Sequence, residues 1–242
     1  MRIAQITDLH IDAEGETLLG VDVRGNFLKL LEVVRELCPQ RIVLSGDLSN
    51  REDDRSVYAW IKSQLDSLAI PYELISGNHD DPKVMAEVFG RQADLHHQEL
   101  YFAREWDGWP VFFLDTTTGF LSLIQQEWLK EQLRQCNREA IIFMHHPPFF
   151  ADVPHMDNKY PLRNRDDVEK ILFAHPHSLT IFSGHYHVEK CINKRNVTAY
   201  ITPSGYFQID QHHEDFQVDH YRPGLREITL NGEAILHTVL YI

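Results

Sequence analysis

Five short apolar runs in the chain each end abruptly on Asp, Asn or His. Arg2–Thr7 stops at Asp8-Leu9-His10, Arg41–Gly46 at Asp47, and Tyr72–Gly77 at Asn78-His79-Asp80. Ala140–Met144 stops at His145-His146, and Leu179–Gly184 at His185-Tyr186-His187. Continuous apolar runs of this length predict strands buried on both faces, in sheets covered by helices. If the strands are parallel, their C-terminal ends share one edge, where α/β folds place their sites.

Helical spacing recurs between these runs. Phe27, Leu30, Leu31 and Val34 mark a helix from about Arg24 to Leu37, closed by Pro39. Val57, Ile61, Leu65 and Leu68 mark a second over roughly 54–68. Further helices are predicted from Asp81-Pro82 to Phe89, over Gln125–Gln135, and over 166–174. Glu99–Arg104 and Pro110–Leu114 predict an antiparallel pair turning at Asp107-Gly108. The proline-rich stretch 147–165 lacks a period and predicts a long functional loop. The tail alternates in strand fashion over 188–192, 197–201, 216–220, 225–230 and 234–240, read as antiparallel. Helix-alternating strands followed by such a tail predict an α/β, four-layer αββα sandwich, with two mixed sheets face to face and helices outside.

With 242 residues, 43% apolar content and no linker, the chain is expected to form one domain spanning 1–242. A formal charge of −13 and the lack of a basic groove argue against long nucleic acids as partners. Cys38, Cys136 and Cys191 show neither metal-binding spacing nor a disulfide framework, and are expected as free thiols. The opening strand predicts no signal peptide, and no apolar run approaches the ~20 residues that span a bilayer. A cytoplasmic protein without membrane contact is the resulting expectation.

The polar residues at the strand ends carry the chemistry. Asp8 and His10, like His185 and His187, lie two apart, a spacing that sends both side chains the same way on extended backbone. With Asp47, Asn78 and His145 they make seven candidate metal ligands: two Asp, one Asn and four His. One ion takes about four to six ligands, some of them water or substrate. A carboxylate has two oxygens, so a bridging Asp47 would give about four protein ligands to each of two ions, the stoichiometry of a two-metal hydrolytic centre. Such oxygen and imidazole donors without sulfur admit Fe, Mn, Zn or Co.

Asp-x-His, Gly-Asp, Gly-Asn-His-Asp, His and Gly-His-x-His occur in that order between Asp8 and His187. In this the chain resembles the calcineurin-like metallophosphoesterases. It is most similar to the class III cyclic nucleotide phosphodiesterases, through Ile6-Thr7-Asp8, Leu18-Leu19-Gly20-Val21, His145-His146-x-Pro148, Leu162-Arg163-Asn164 and Thr202-Pro203-Ser204. The resemblance implies a first metal on Asp8, His10, Asp47 and His187, and a second on Asp47, Asn78, His145 and His185. It implies that His79 points at the phosphate without binding metal, and that Asp80 orients His79. Pro147 stands where relatives can carry a third consecutive His. The implied reaction is hydrolysis of a 3′,5′-cyclic nucleotide, cyclic AMP foremost, to the 5′-nucleotide. A hydroxide formed on the metals attacks phosphorus in line, and His79 or a water neutralises the departing oxygen.

Glycerophosphodiesters, other small diesters or monoesters remain alternative substrates, because metals see only the phosphate. A non-catalytic scaffold of the same fold is the remote alternative, disfavoured because no ligand position is missing. Relatives are often dimers, so the resemblance admits a homodimer without fixing the oligomeric state. His146 is assigned either to the pocket wall or to a place behind the ligands. Leu162-Arg163-Asn164 is a loop anchor or a substrate clamp; Phe149, Phe150 and Tyr206 stack on a nucleobase or pack. The remaining histidines are read as surface or core residues.

Overall fold

A computed structural model describes residues 1–51, 54–232 and 234–242. The strands of its two main sheets are β1 (Arg2–Ile6), β2 (Arg41–Ser45), β3 (Tyr72–Ile75), β4 (Phe102–Trp106), β5 (Trp109–Leu114), β6 (Ala140–Met144), β7 (Leu179–Ser183), β8 (Lys190–Lys194), β9 (Val197–Ile201), β10 (Gly224–Asn231) and β11 (Ala234–Tyr241). The helices are α1 (Val23–Leu37), α2 (Arg55–Asp66), α3 (Pro82–Phe89), α4 (Leu123–Gln135), α5 (Pro154–Lys159) and α6 (Arg165–Ala174).

Aspartates set where three of these helices begin. Asp22 accepts from the Gly25 N–H, Asp54 from Ser56 and Val57, and Asp81 from Lys83 and Val84, with Pro82 fitting the first turn. Ser122 does the same for α4.

The five apolar runs are strands, but they divide between two sheets. The first has the order β11-β10-β1-β2-β3, the second β8-β9-β7-β6-β5-β4. Within the first, β1, β2 and β3 are parallel; within the second, β5, β6 and β7 are. The chain end returns to the first sheet, where β10 pairs antiparallel with β1.

The tail departs from the antiparallel expectation at Val197–Ile201. A tight turn at Arg195-Asn196 makes β8 and β9 antiparallel, yet β9 lies parallel to β7. The stretch 147–165 is not all loop, since it contains α5. Of 216–220, only Val218–His220 is strand.

Two cores account for the four layers. Phe27, Leu30 and Val34 of α1 and Val57, Ile61 and Leu65 of α2 share one core with both sheets. Leu129 and Leu133 of α4 and Val168, Ile171 and Leu172 of α6 cover the far face of the second sheet, against Phe112, Ile142, Met144 and Ile181. Between the sheets runs an aromatic row across neighbouring strands. Phe102 stacks on Phe113 at 4.4 Å, Phe113 on Phe143 at 5.2 Å, and Phe143 on Phe182 at 5.4 Å. Such cross-strand ring pairs add to the area they bury. The row joins the first core, so each sheet is hydrophobic on both faces, as the runs predict.

Cys38, Cys136 and Cys191 are free thiols. Among the described residues, no helix is long and apolar enough to cross a membrane.

Candidate metal centre

The ends of β1, β2, β3, β6 and β7 meet at one place, although the strands come from two sheets. Among the described residues, four trios of ligand-type residues have one donor atom each within 4.8 Å of the others: Asp8-His10-His187, Asp8-Asp47-His145, His10-Asp47-His79 and His145-His146-His185. His10 Nε2 lies 3.1 Å from His187 Nε2. Asp47 Oδ2 faces both sides, 3.6 Å from His10 Nε2 and 3.3 Å from His145 Nε2. Asp8 Oδ1 is 3.4 Å from His187 Nε2. Asn78 lines the same cavity as Asp47, His10 and His185.

Strained backbone aims these groups. Asp8, His10, Asp47, His185 and His187 adopt φ of 54°, 46°, 52°, 66° and 51°. L-residues with a Cβ pay for that left-handed conformation, about 1 kcal/mol or more each. Strain of this kind clusters at functional sites. Packing holds the turns in place. Gly46 has φ 101°, and a Cβ there would stand 2.3 Å from His145 Nδ1. A Cβ on Gly184 would stand 2.4 Å from Asp8 Oδ2. At Gly46 and Gly184 the missing Cβ is thus space that a second candidate ligand fills.

Backbone carbonyls set the imidazole tautomers. His145 Nδ1 faces Ser45 O at 2.9 Å, His187 Nδ1 faces Phe207 O at 3.0 Å, and His185 Nε2 faces Tyr160 O at 2.9 Å. A carbonyl only accepts, so each ring donates N–H there, and in the neutral form its other nitrogen is a lone pair. Asn78 Oδ1 and His145 Nε2 are buried without a hydrogen bond. A buried acceptor without a partner costs about 1–3 kcal/mol, and a cation in front of it removes that cost. The donor set therefore fits hard or borderline metal ions.

Burial and mutual charge shift the titrations apart. Burial would raise Asp8, but His187 and His145 beside it outweigh burial and hold it at about 2. Asp47 is likewise held well below the usual range by His145 and His10 despite burial. Burial pushes His10 down to about 3 and His185 to about 4. His145 rises to about 9, because Asp47 and Asp8 outweigh its burial. Deprotonated carboxylates and neutral imidazoles are the forms that bind metal, so Asp8, Asp47, His10 and His185 are in that form, while His145 would give up its proton to join them.

Asp80 turns to backbone donors. Among the described residues it makes no hydrogen bond to His79, whose Nδ1 faces Asn50 O at 3.2 Å. Asp80 instead accepts from the backbone N–H of Leu48 at 3.1 Å, of Ser49 at 3.1 Å and of Gly77 at 2.9 Å, and from the Tyr58 hydroxyl at 3.0 Å. It thus ties the turn after Asp47 to the turn before Asn78. Asn50 is itself held by Asp12, its Nδ2 donating to Asp12 Oδ2 at 2.9 Å. His146 lies against the candidate ligands, its ring 3.9 Å from that of His185 and its Nδ1 2.9 Å from Thr116 Oγ1.

Other motif residues resolve into supports. Asn164 clamps Leu121 through both its amide atoms, so Leu162-Arg163-Asn164 anchors a loop. Ser204 Oγ donates to Asp8 O at 2.8 Å. Phe149 packs in the core beside α6, Phe150 is exposed, and only Tyr206 of the three named aromatics reaches the cavity. Sequence reasoning misses Asn50, Met156, Tyr160, Phe207 and Ile209, which also line it. The cavity measures about 260 Å³. A larger groove of about 720 Å³ between α4 and α6 holds none of the candidate ligand residues.

Fold and site together define a metal-dependent hydrolase. The model of the calcineurin-like phosphoesterase family matches residues 1–189, and the chain belongs to that family. Several relatives align over all of it. A probable cyclic nucleotide phosphodiesterase of Fibrobacter succinogenes is 33% identical, with 93% of its own length covered. The 3′,5′-cyclic adenosine monophosphate phosphodiesterase CpdA of Escherichia coli K12 is 29% identical, with 89% covered. Among solved structures, a dimetal phosphatase from Danio rerio superposes with a TM-score of 0.68 at 14% identity, over 93% of this chain and 94% of that one, a likeness of fold.

Proposed function

We propose that the chain hydrolyses phosphodiesters, with 3′,5′-cyclic nucleotides, cyclic AMP foremost, as substrates and 5′-nucleotides as products. In this reading Asp8, His10, Asp47 and His187 hold one divalent or trivalent ion, and Asp47, Asn78, His145 and His185 the other. The observation that carries it is the pair of buried polar atoms without a hydrogen bond, Asn78 Oδ1 and His145 Nε2, beside an Asp47 carboxylate that faces imidazoles on both sides. The names borne by the relatives favour a cyclic diester.

When bound, such a pair of ions supplies positive charge to the non-bridging phosphate oxygens and lowers the pKa of water. The chain's own residues do the rest. His79 lines the cavity with Nδ1 held by Asn50 O. In its protonated form Nε2 carries the N–H that a departing 3′-oxygen needs. The Asp47 carboxylate also accepts the His79 backbone N–H at 2.9 Å, which sets this residue beside the bridging group. A cavity of about 260 Å³ in a chain of charge −13 suits a small diester and not a long polyanion.

A hydrolysis panel tests the reading. Protein loaded separately with manganese, iron, zinc or cobalt is given cyclic AMP, a glycerophosphodiester and a phosphomonoester. The highest kcat/KM is expected for cyclic AMP; equal or better turnover of the linear diester or the monoester overturns the substrate assignment.

A further inference from the structure

The cavity has two unlike halves. Its polar half is the ligand set with Asn50 and His79; the other half is Met156, Tyr160, Tyr206, Phe207 and Ile209. Phosphate chemistry makes no use of the second half. Tyr206 and Phe207 are buried and locked against the ligands, with ring centres 5.7 Å from His10 and 4.7 Å from His187. Tyr160 differs. Its carbonyl takes the His185 N–H at 2.9 Å, so its backbone is pinned to the site, yet the residue is 52% exposed. Its ring lies 5.7 Å from that of His155, which in turn faces half-exposed Phe216 at 5.7 Å. A large aromatic side chain left at the mouth of a polar site, on fixed backbone, offers stacking surface at low ordering cost.

We propose that Tyr160, with Met156 and Phe207, is the seat of a planar base, and that this seat sets the preference for cyclic nucleotides over diesters without an aromatic group. The inference rests on the phosphodiesterase reading above and adds the residue that selects within it. A purine or pyrimidine would lie against the Tyr160 ring while its phosphate reaches the Asp47 side. Any base presents a flat face, so the seat selects for a base more than for a particular one.

The test compares two substrates in one site. For the metal-loaded full chain, kcat/KM is measured with cyclic AMP and with glycerophosphoethanolamine, in wild type, Tyr160→Ala and Tyr160→Phe. Tyr160→Ala keeps the carbonyl that holds His185. It is expected to lower the ratio of the two kcat/KM values by roughly 5- to 150-fold, the range of one base–aromatic stack, mainly through KM for cyclic AMP. Tyr160→Phe is expected to restore the ratio. An unchanged ratio in Tyr160→Ala, or a Tyr160→Phe as poor as the alanine variant, overturns the seat. Inhibition by 5′-AMP relative to inorganic phosphate separates this failure from that of the substrate assignment. If wild type prefers glycerophosphoethanolamine, the assignment fails, while selective loss of 5′-AMP inhibition in Tyr160→Ala still supports the seat and unchanged inhibition overturns it.

Discussion

Asp80→Asn separates two roles for one carboxylate. Asp80 is 2% exposed and accepts from three backbone N–H groups and the Tyr58 hydroxyl. Burial, with Asp47 nearby, raises its pKa to about 6 even though those N–H groups pull the other way. The amide is isosteric, but its NH₂ turns toward donors, so at least one N–H loses its acceptor. Hydrogen bonds to a charged acceptor contribute about 1.5–3 kcal/mol, and a buried N–H left unpaired costs about 1–3 kcal/mol. We expect a loss of about 2–3 kcal/mol at pH 8. For a chain of this size that lowers Tm by about 4–12 °C.

The donors sit beside Asp47 and Asn78, so both ligands should loosen, and metal affinity should fall about 10–100-fold. Thermal unfolding of metal-free protein and competitive metal titration measure the two effects. The stability gap should narrow below pH 6, where the wild-type carboxyl is itself protonated. A variant with wild-type Tm and metal affinity but depressed kcat would refute the reasoning and return Asp80 to orienting His79.

His79→Ala should behave in the opposite way: kcat falls by about 10²–10³, while metal content by elemental analysis stays that of wild type. Asp47→Ala should empty the centre, and retention of both ions with wild-type turnover would end its bridging role. Acid should destabilise the metal-free protein. Burial holds His10, His185 and His146 below 6.5 in the folded state, so at pH 5 the unfolded chain binds those protons and the native one does not. Asp80, raised to about 6, offsets one of them. His145, raised to about 9, is protonated in both states at pH 5. The net of about two protons predicts that stability falls by roughly 2–3 kcal/mol per unit as pH drops from 6 toward 5; a flat Tm across that range contradicts it.

How far the site is legible in sequence depends on how local its causes are. Asp8, His10, Asp47, Asn78, His145, His185 and His187 are visible because each interrupts an apolar run, and an interruption at a strand end is a local event. What holds them there is not local. The strands sort into two sheets through pairings such as Ile3 with Ile228 and Val197 with Leu179, which period-two patterning cannot distinguish from other partners. The resemblance implies that Asp80 orients His79. The carboxylate turns instead to N–H groups some thirty positions earlier, because two buried turns expose donors that nothing else satisfies. The apolar half of the cavity draws Met156 and Tyr160 from one segment and Tyr206, Phe207 and Ile209 from another, with no shared spacing to mark them. Reaction chemistry needs a fixed set of atoms and so leaves motifs. Substrate choice needs only a surface of the right shape and polarity, and many sequences supply one. That is why the ligands declare a phosphoesterase from sequence while Tyr160 becomes visible only once the chain is folded.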